Sequence, residues 1–166
     1  MWMTLRHLLA ILLLPCLVVI VVPYWLLISF VAVDNRWGDG SIAQLIARAA
    51  AIFLFVSGFA LFGWCVGLFA RVGRGTLAPW DPTQKIVAVG PYRFVRNPMI
   101  SGVLLMLLGL ALFWGSWLVA GWACLVFAIN HVYFIVSEEL GLEERFGARY
   151  LEYKATVPRW IPRLKA

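Results

Sequence analysis

Charge is what this sequence has least of. Only 13% of its 166 residues are Asp, Glu, Lys or Arg, where a soluble domain carries about 25%. With 63% apolar residues, the class is an integral membrane protein. Cysteine is also scarce. Cys16, Cys65 and Cys124 all fall in apolar runs with no CxxC spacing, which argues against a disulfide framework and leaves three small packing residues. Histidine occurs twice and forms no ligand cluster with them, so no metal site is expected. No complete Walker or dinucleotide glycine pattern is present. Gly73-Arg74-Gly75 satisfies neither, which excludes a nucleotide held by such a loop. No soluble basic domain exists to present the net charge of +6 to nucleic acid.

What the chain does have is long apolar runs. A spanning helix needs about 20 predominantly apolar residues. Candidates cover 8–33, 43–70, 98 to about 114, and 117 to about 136. The first run is longer than the apolar core of a secretory signal and is followed by no clean cleavage site, so an uncleaved helix is expected. Four spans put twelve basic residues on one side, among them Arg6, Arg71, Arg93, Arg96, Arg145 and Arg159. Only Arg36 and Arg48 fall on the other. Basic residues are retained on the cytoplasmic side, so both termini are expected there. The expected fold is all-α and integral to the membrane, a single domain over 1–166. It comprises about four transmembrane helices, a cytoplasmic C-terminal helix and a cofactor-enclosing loop.

Two polar clusters flank the last hairpin. The first is Gly90-Pro91-Tyr92-Arg93-Phe94-Val95-Arg96-Asn97-Pro98. The second is Ser137-Glu138-Glu139 with Phe146-Gly147, Tyr150 and Tyr153. A chain that crosses the bilayer and returns brings both ends to one face, so Arg96 and Glu138 are expected to be neighbours. His131 precedes Glu138 by seven residues, nearly two α-helical turns, which aligns the two on one face. Ionisable groups at membrane depth are costly and are commonly paired or functional. Arg96, Glu138 and His131 are therefore the candidate catalytic residues. Elsewhere, Gly63-Trp64-Cys65-Val66-Gly67 is a GxxxG, read first as close helix packing within the chain. Asp34 and Asp39 in the first loop read as turn formers. Trp160, among basic residues after the C-terminal helix, reads as an interfacial anchor.

The element from Gly90 to Pro98, followed by Gly102, resembles the G-x-Y-x-x-x-R-H/N-P motif of the isoprenylcysteine carboxyl methyltransferase and phospholipid methyltransferase families. Glu138-Glu139, Phe146-Gly147, Tyr150, Tyr153 and Val157-Pro158 resemble the C-terminal element of the same proteins. Gly75-Thr76-Leu77-Ala78-Pro79-Trp80-Asp81-Pro82 is similar to bacterial members, which points to a bacterial inner membrane. The resemblance covers about 73–162. It implies S-adenosyl-L-methionine-dependent methyl transfer to a lipid or lipid-like acceptor arriving from the bilayer. Cofactor contacts are implied at Gln84, Lys85, Ile86, Val87, Tyr92, Asn97, Pro98, Met99, Ile100 and Glu138.

Two positions depart from the relatives. Asn97 stands where His is common, and it keeps hydrogen-bonding capacity. Phe134 stands where eukaryotic members carry an Arg associated with a substrate carboxylate. The acceptor is therefore open between a carboxylate, a phospholipid amine and a small thiol. An amine or thiol would need a base, for which His131 or Glu138 is available. From other classes, a non-catalytic membrane scaffold and an NADPH-dependent membrane reductase remain alternatives.

Overall fold

The computed structural model describes residues 14–34, 41–69, 71 and 86–162. Gln84, Lys85, the 75–82 stretch, Asp39 and the start of the first expected span lie outside the described residues. Among the described residues all regular structure is helical. Five helices, α1 Leu14–Ser29, α2 Ile42–Leu68, α3 Pro98–Trp114, α4 Trp117–Phe146 and α5 Ala148–Thr156, are joined by turns, one of them the 3₁₀ turn Gly90–Arg93. Two helices, α2 with 27 residues and α4 with 30, are long and apolar enough to cross a membrane, and α1 and α3 are shorter apolar helices. Much of α2 is exposed apolar surface, including Ile46, Phe53, Phe59 and Trp64. A soluble monomer does not carry a patch of that extent, and the protein is a membrane protein.

Most of these boundaries follow from the chain. Pro98 starts α3, where its missing N–H costs nothing. Gly115, with φ of 66°, separates α3 from α4. No breaker falls between Trp117 and Phe146, so the apolar run that ends near Val136 continues as one helix into its charged end. The stop comes at Gly147, whose φ of 55° lies in the region that glycine tolerates. The expected C-terminal helix is thus divided in two, with only α5 beyond the glycine.

The described residues form two packed units. The first comprises Met1–Ala60 and Gly102–Phe127. Its core holds Ala51, Val103, Met106, Leu107, Ala111, Val119 and Ala123. Here α2 and α3 approach at backbone distance: a Cβ on Gly58 would lie 2.5 Å from the Gly102 carbonyl oxygen and 2.8 Å from the Met106 nitrogen. Gly58→Ala should force the two helices apart and cost about 1–3 kcal/mol, read as a lower midpoint of thermal unfolding in detergent. At the start of α4, the Ser116 hydroxyl donates to Asp34 Oδ2 at 2.6 Å and accepts from the Val119 amide at 3.1 Å. Asp34 is therefore a buried capping group, where the helix N-terminus favours a carboxylate. The Trp122 indole donates to the Val18 carbonyl at 2.9 Å and ties α4 to α1.

The second unit comprises Leu61–Ser101 and Ala128–Ala166. Cys65, Val87 and Tyr92 form its buried cluster, with Leu61, Leu68, Phe69 and Met99 packed against it. The 3₁₀ turn opens on Gly90, at φ of 58°, where a Cβ would lie 2.9 Å from the Leu68 side chain. The backbone angle requires glycine there, since an L side chain rarely adopts it. This turn delivers Arg96 and Asn97 to the head of α3.

Candidate functional site

The site is built in the second unit by chain segments far apart in sequence. The Arg96 amide donates to the Pro158 carbonyl at 2.9 Å, which lays the segment before α3 against the one after α5. The Tyr153 hydroxyl donates to the Tyr92 carbonyl at 2.7 Å and fastens α5 to the 3₁₀ turn. Val157-Pro158 ends α5 and turns the chain so that Arg159 and Trp160 point back toward α4.

At the centre is Glu139, only 5% exposed. Arg96 Nη1 donates to its Oε1 at 2.9 Å. Arg159 donates from Nε to Oε1 at 2.7 Å and from Nη2 to Oε2 at 3.0 Å, a bidentate clasp. Lys154 Nζ lies 3.2 Å from Oε2 and also pairs with Glu143. Burial pushes the Glu139 carboxyl upward, but Arg159, Arg96 and Lys154 outweigh it and hold the group below the ordinary carboxylate range. Burial and then the Glu139 charge push the Tyr150 phenol up.

The sequence led to an Arg96–Glu138 pair, and the structure instead pairs Arg96 with Glu139. The physical reason lies in α4. Its residues Phe134–Glu138 form one wide π-turn, in which the Glu139 amide bonds to the Phe134 carbonyl five residues back. The extra residue changes the helical phase, so Glu138 no longer follows His131 at α-helical spacing, and Glu139 takes the inward position. Such insertions occur frequently at functional sites.

Glu138 is half-buried, just beyond the apolar 117–136 part of α4, and among the described residues no cation pairs with it. Burial and then the charge of Glu139 push its carboxyl up to about 7. It acts electrostatically on the Tyr92 phenol, which is raised well above its ordinary range, chiefly by burial. Asn97 is buried, and its Nδ2 has no hydrogen-bond partner among the described residues. Arg96 Nε is likewise buried and unpartnered. Buried donors are ordinarily satisfied, so these two and the unpaired carboxylate are the groups with capacity to spare.

Of the other expected contacts, Val87, Tyr92 and Met99 gather in one cluster, Pro98 is fully buried, and Ile86 and Ile100 are half-buried. Gln84 and Lys85 are outside the described residues. His131 Nδ1 accepts a hydrogen bond from the Trp160 indole at 3.0 Å, and Phe134 packs on the same indole with ring centroids 5.9 Å apart. His131 and Phe134 thus hold the segment that carries Arg159. Sequence reasoning placed Glu139 in the second cluster without giving it a role, and it missed Lys154 and Arg159. A basic residue between Pro158 and Pro162 was the available signal, since two prolines fix the course of so short a segment. Among the described residues no three potential metal ligands come together.

An all-helical membrane protein whose amphipathic tail folds back to close a buried charge cluster is the class defined by this fold and site. The sequence pattern of the phospholipid methyltransferase family matches residues 46–149, which takes in Arg96, Asn97, Glu138 and Glu139. The chain belongs to that family, as its two motifs led us to expect. A search of curated proteins returns no match.

Proposed function

We propose that the protein is an S-adenosylmethionine-dependent methyltransferase acting on a lipid or lipid-like acceptor. The observation that carries this reading is a carboxylate, Glu138, that meets no cation among the described residues, in the same unit as buried donors that meet no acceptor among them, Asn97 Nδ2 and Arg96 Nε. Such a set fits a ligand bearing both positive and negative groups. S-adenosylmethionine, when bound, supplies an electrophilic methyl group on a cationic sulfur, along with an ammonium and a carboxylate. Glu138 would hold the cationic part, and Asn97 and Arg96 the anionic part. Tyr92 and the cluster around it exclude water. Glu139, Arg159 and Lys154 fix Arg96 in orientation rather than touch the donor. Methyl transfer is an in-line displacement, so positioning and desolvation supply most of the acceleration.

Phe134, 7% exposed and packed on Trp160, offers no charge to an acceptor carboxylate. We therefore favour an acceptor other than a prenylcysteine carboxylate, with a phospholipid amine first. The four-span arrangement, with both termini and the charge cluster cytoplasmic, belongs to this proposal and rests on the distribution of basic residues.

Calorimetric titration of the purified chain with S-adenosylmethionine tests the donor assignment. Saturable binding to one site, weakened at least tenfold in Asn97→Ala, is the expected result. Binding of NADPH in its place would favour the reductase reading.

A further inference from the structure

The first unit carries a feature that the methyl site does not use. Between α2 and α3 lies an apolar groove of about 250 Å³, lined chiefly by Ala51, Phe55, Val56, Gly109, Phe113 and Trp114. Its floor is the close approach at Gly109, where a Cβ would lie 2.8 Å from the Ala51 carbonyl oxygen. At one end stands Arg48, six residues into α2 and so about 9 Å along its axis from Ile42. Its guanidinium carbon sits 5.7 Å from the centroid of the Phe113 ring. Its Nε is buried and has no hydrogen-bond partner among the described residues. A guanidinium has five donors and is never neutral in a protein. At membrane depth a charge so placed calls for a counter-charge. The ring face of Phe113 supplies only part of that.

From this geometry we propose that the groove and Arg48 form a binding site for an anionic phospholipid, with its phosphate on the guanidinium and one acyl chain in the groove. The charge of Arg48 complements a headgroup of net negative charge, and guanidinium geometry suits two phosphate oxygens at once. From Arg48 to Val56 the helix advances about 12 Å, which accommodates part of an acyl chain along an entirely apolar wall. The site is made by residues of the first unit alone and does not depend on the assignment of the methyl donor.

Native mass spectrometry of the full chain, released from detergent with added lipid, reads the occupancy. The wild type should retain phosphatidylglycerol about fivefold more than phosphatidylcholine of the same chains, the effect of one basic residue near a charged headgroup. Arg48→Gln should abolish that preference, and Arg48→Lys should keep part of it. Val56→Trp, which fills the groove and leaves the charge, should lower retention of both lipids. Inorganic phosphate, having no chain, should not displace the lipid. Equal retention of the two lipids by the wild type, which requires no variant to fold, would overturn the proposal. So would an Arg48→Gln protein that keeps the preference, or displacement by inorganic phosphate.

Discussion

Glu139→Gln should lose both stability and activity. The carboxylate is nearly inaccessible and is the shared partner of Arg96, Arg159 and Lys154. The amide retains the shape but removes the charge, leaving two arginines with side chains 11% and 22% exposed facing one another across a neutral group. Removing one partner from a buried ionic cluster costs about 3 kcal/mol, which for a chain of this size is a drop of roughly 10 °C in the unfolding midpoint. The tail segment would also lose its clasp on α4, and a displacement of Arg96 by about an ångström is enough to lower turnover on the order of 100-fold. Scanning calorimetry and a methyl-transfer assay on the same preparation check both parts. The Glu139 carboxyl is held below its ordinary pKa, so the stability it contributes is present above the unfolded value and is lost as pH falls through the folded one. The wild type should therefore lose stability in acid by a route that Glu139→Gln has already lost.

The substitution one residue earlier should behave in the opposite way. Glu138 has no cation partner among the described residues, and burial and its neighbour's charge both oppose its ionisation. Glu138→Gln should leave the unfolding midpoint unchanged or raise it slightly, while weakening donor binding by roughly 10–100-fold, the worth of a hydrogen bond to a charged group. A carboxyl whose folded pKa is raised from 4.5 to about 7 stabilises the fold fully below the unfolded value, and that contribution is lost as pH rises through about 7. Donor binding needs the ionised carboxylate, so affinity should climb as pH rises toward about 7 and level off above it. In Glu138→Gln both trends should vanish. Opposed trends in stability and affinity from one residue would be hard to produce by a structural role alone.

Much of this molecule was legible in the sequence, and what was hidden has particular causes. The limits of α2 and α3 follow from apolar runs and from Pro98, so both were readable. The end of α4 was not, because Ser137-Glu138-Glu139 looks like a boundary in composition yet contains nothing that breaks a helix. The true stop is Gly147, through a backbone angle that no hydropathy pattern displays. The meeting of the two polar clusters was readable from topology, since a hairpin returns to its starting face. Which glutamate meets Arg96 was not readable, because one wide turn between Phe134 and Glu138 alters the phase. Arg159 was hidden for another reason. Its place depends on backbone contact between Arg96 and Pro158 and on the Trp160–His131 bond, both of which join residues distant in sequence. His131, read as a possible base, has one ring nitrogen committed to that bond.

The proposed role of Glu138 is to hold a methyl donor for transfer to a lipid. Its most direct test is transfer of a labelled methyl group from S-adenosylmethionine to lipid by the wild type and Glu138→Gln, both in nanodiscs containing phosphatidylethanolamine. The wild type should yield labelled lipid, and the variant at least tenfold less at equal stability. Wild-type protein that is folded and binds the donor but labels no lipid, or a variant as active as the wild type, would contradict it.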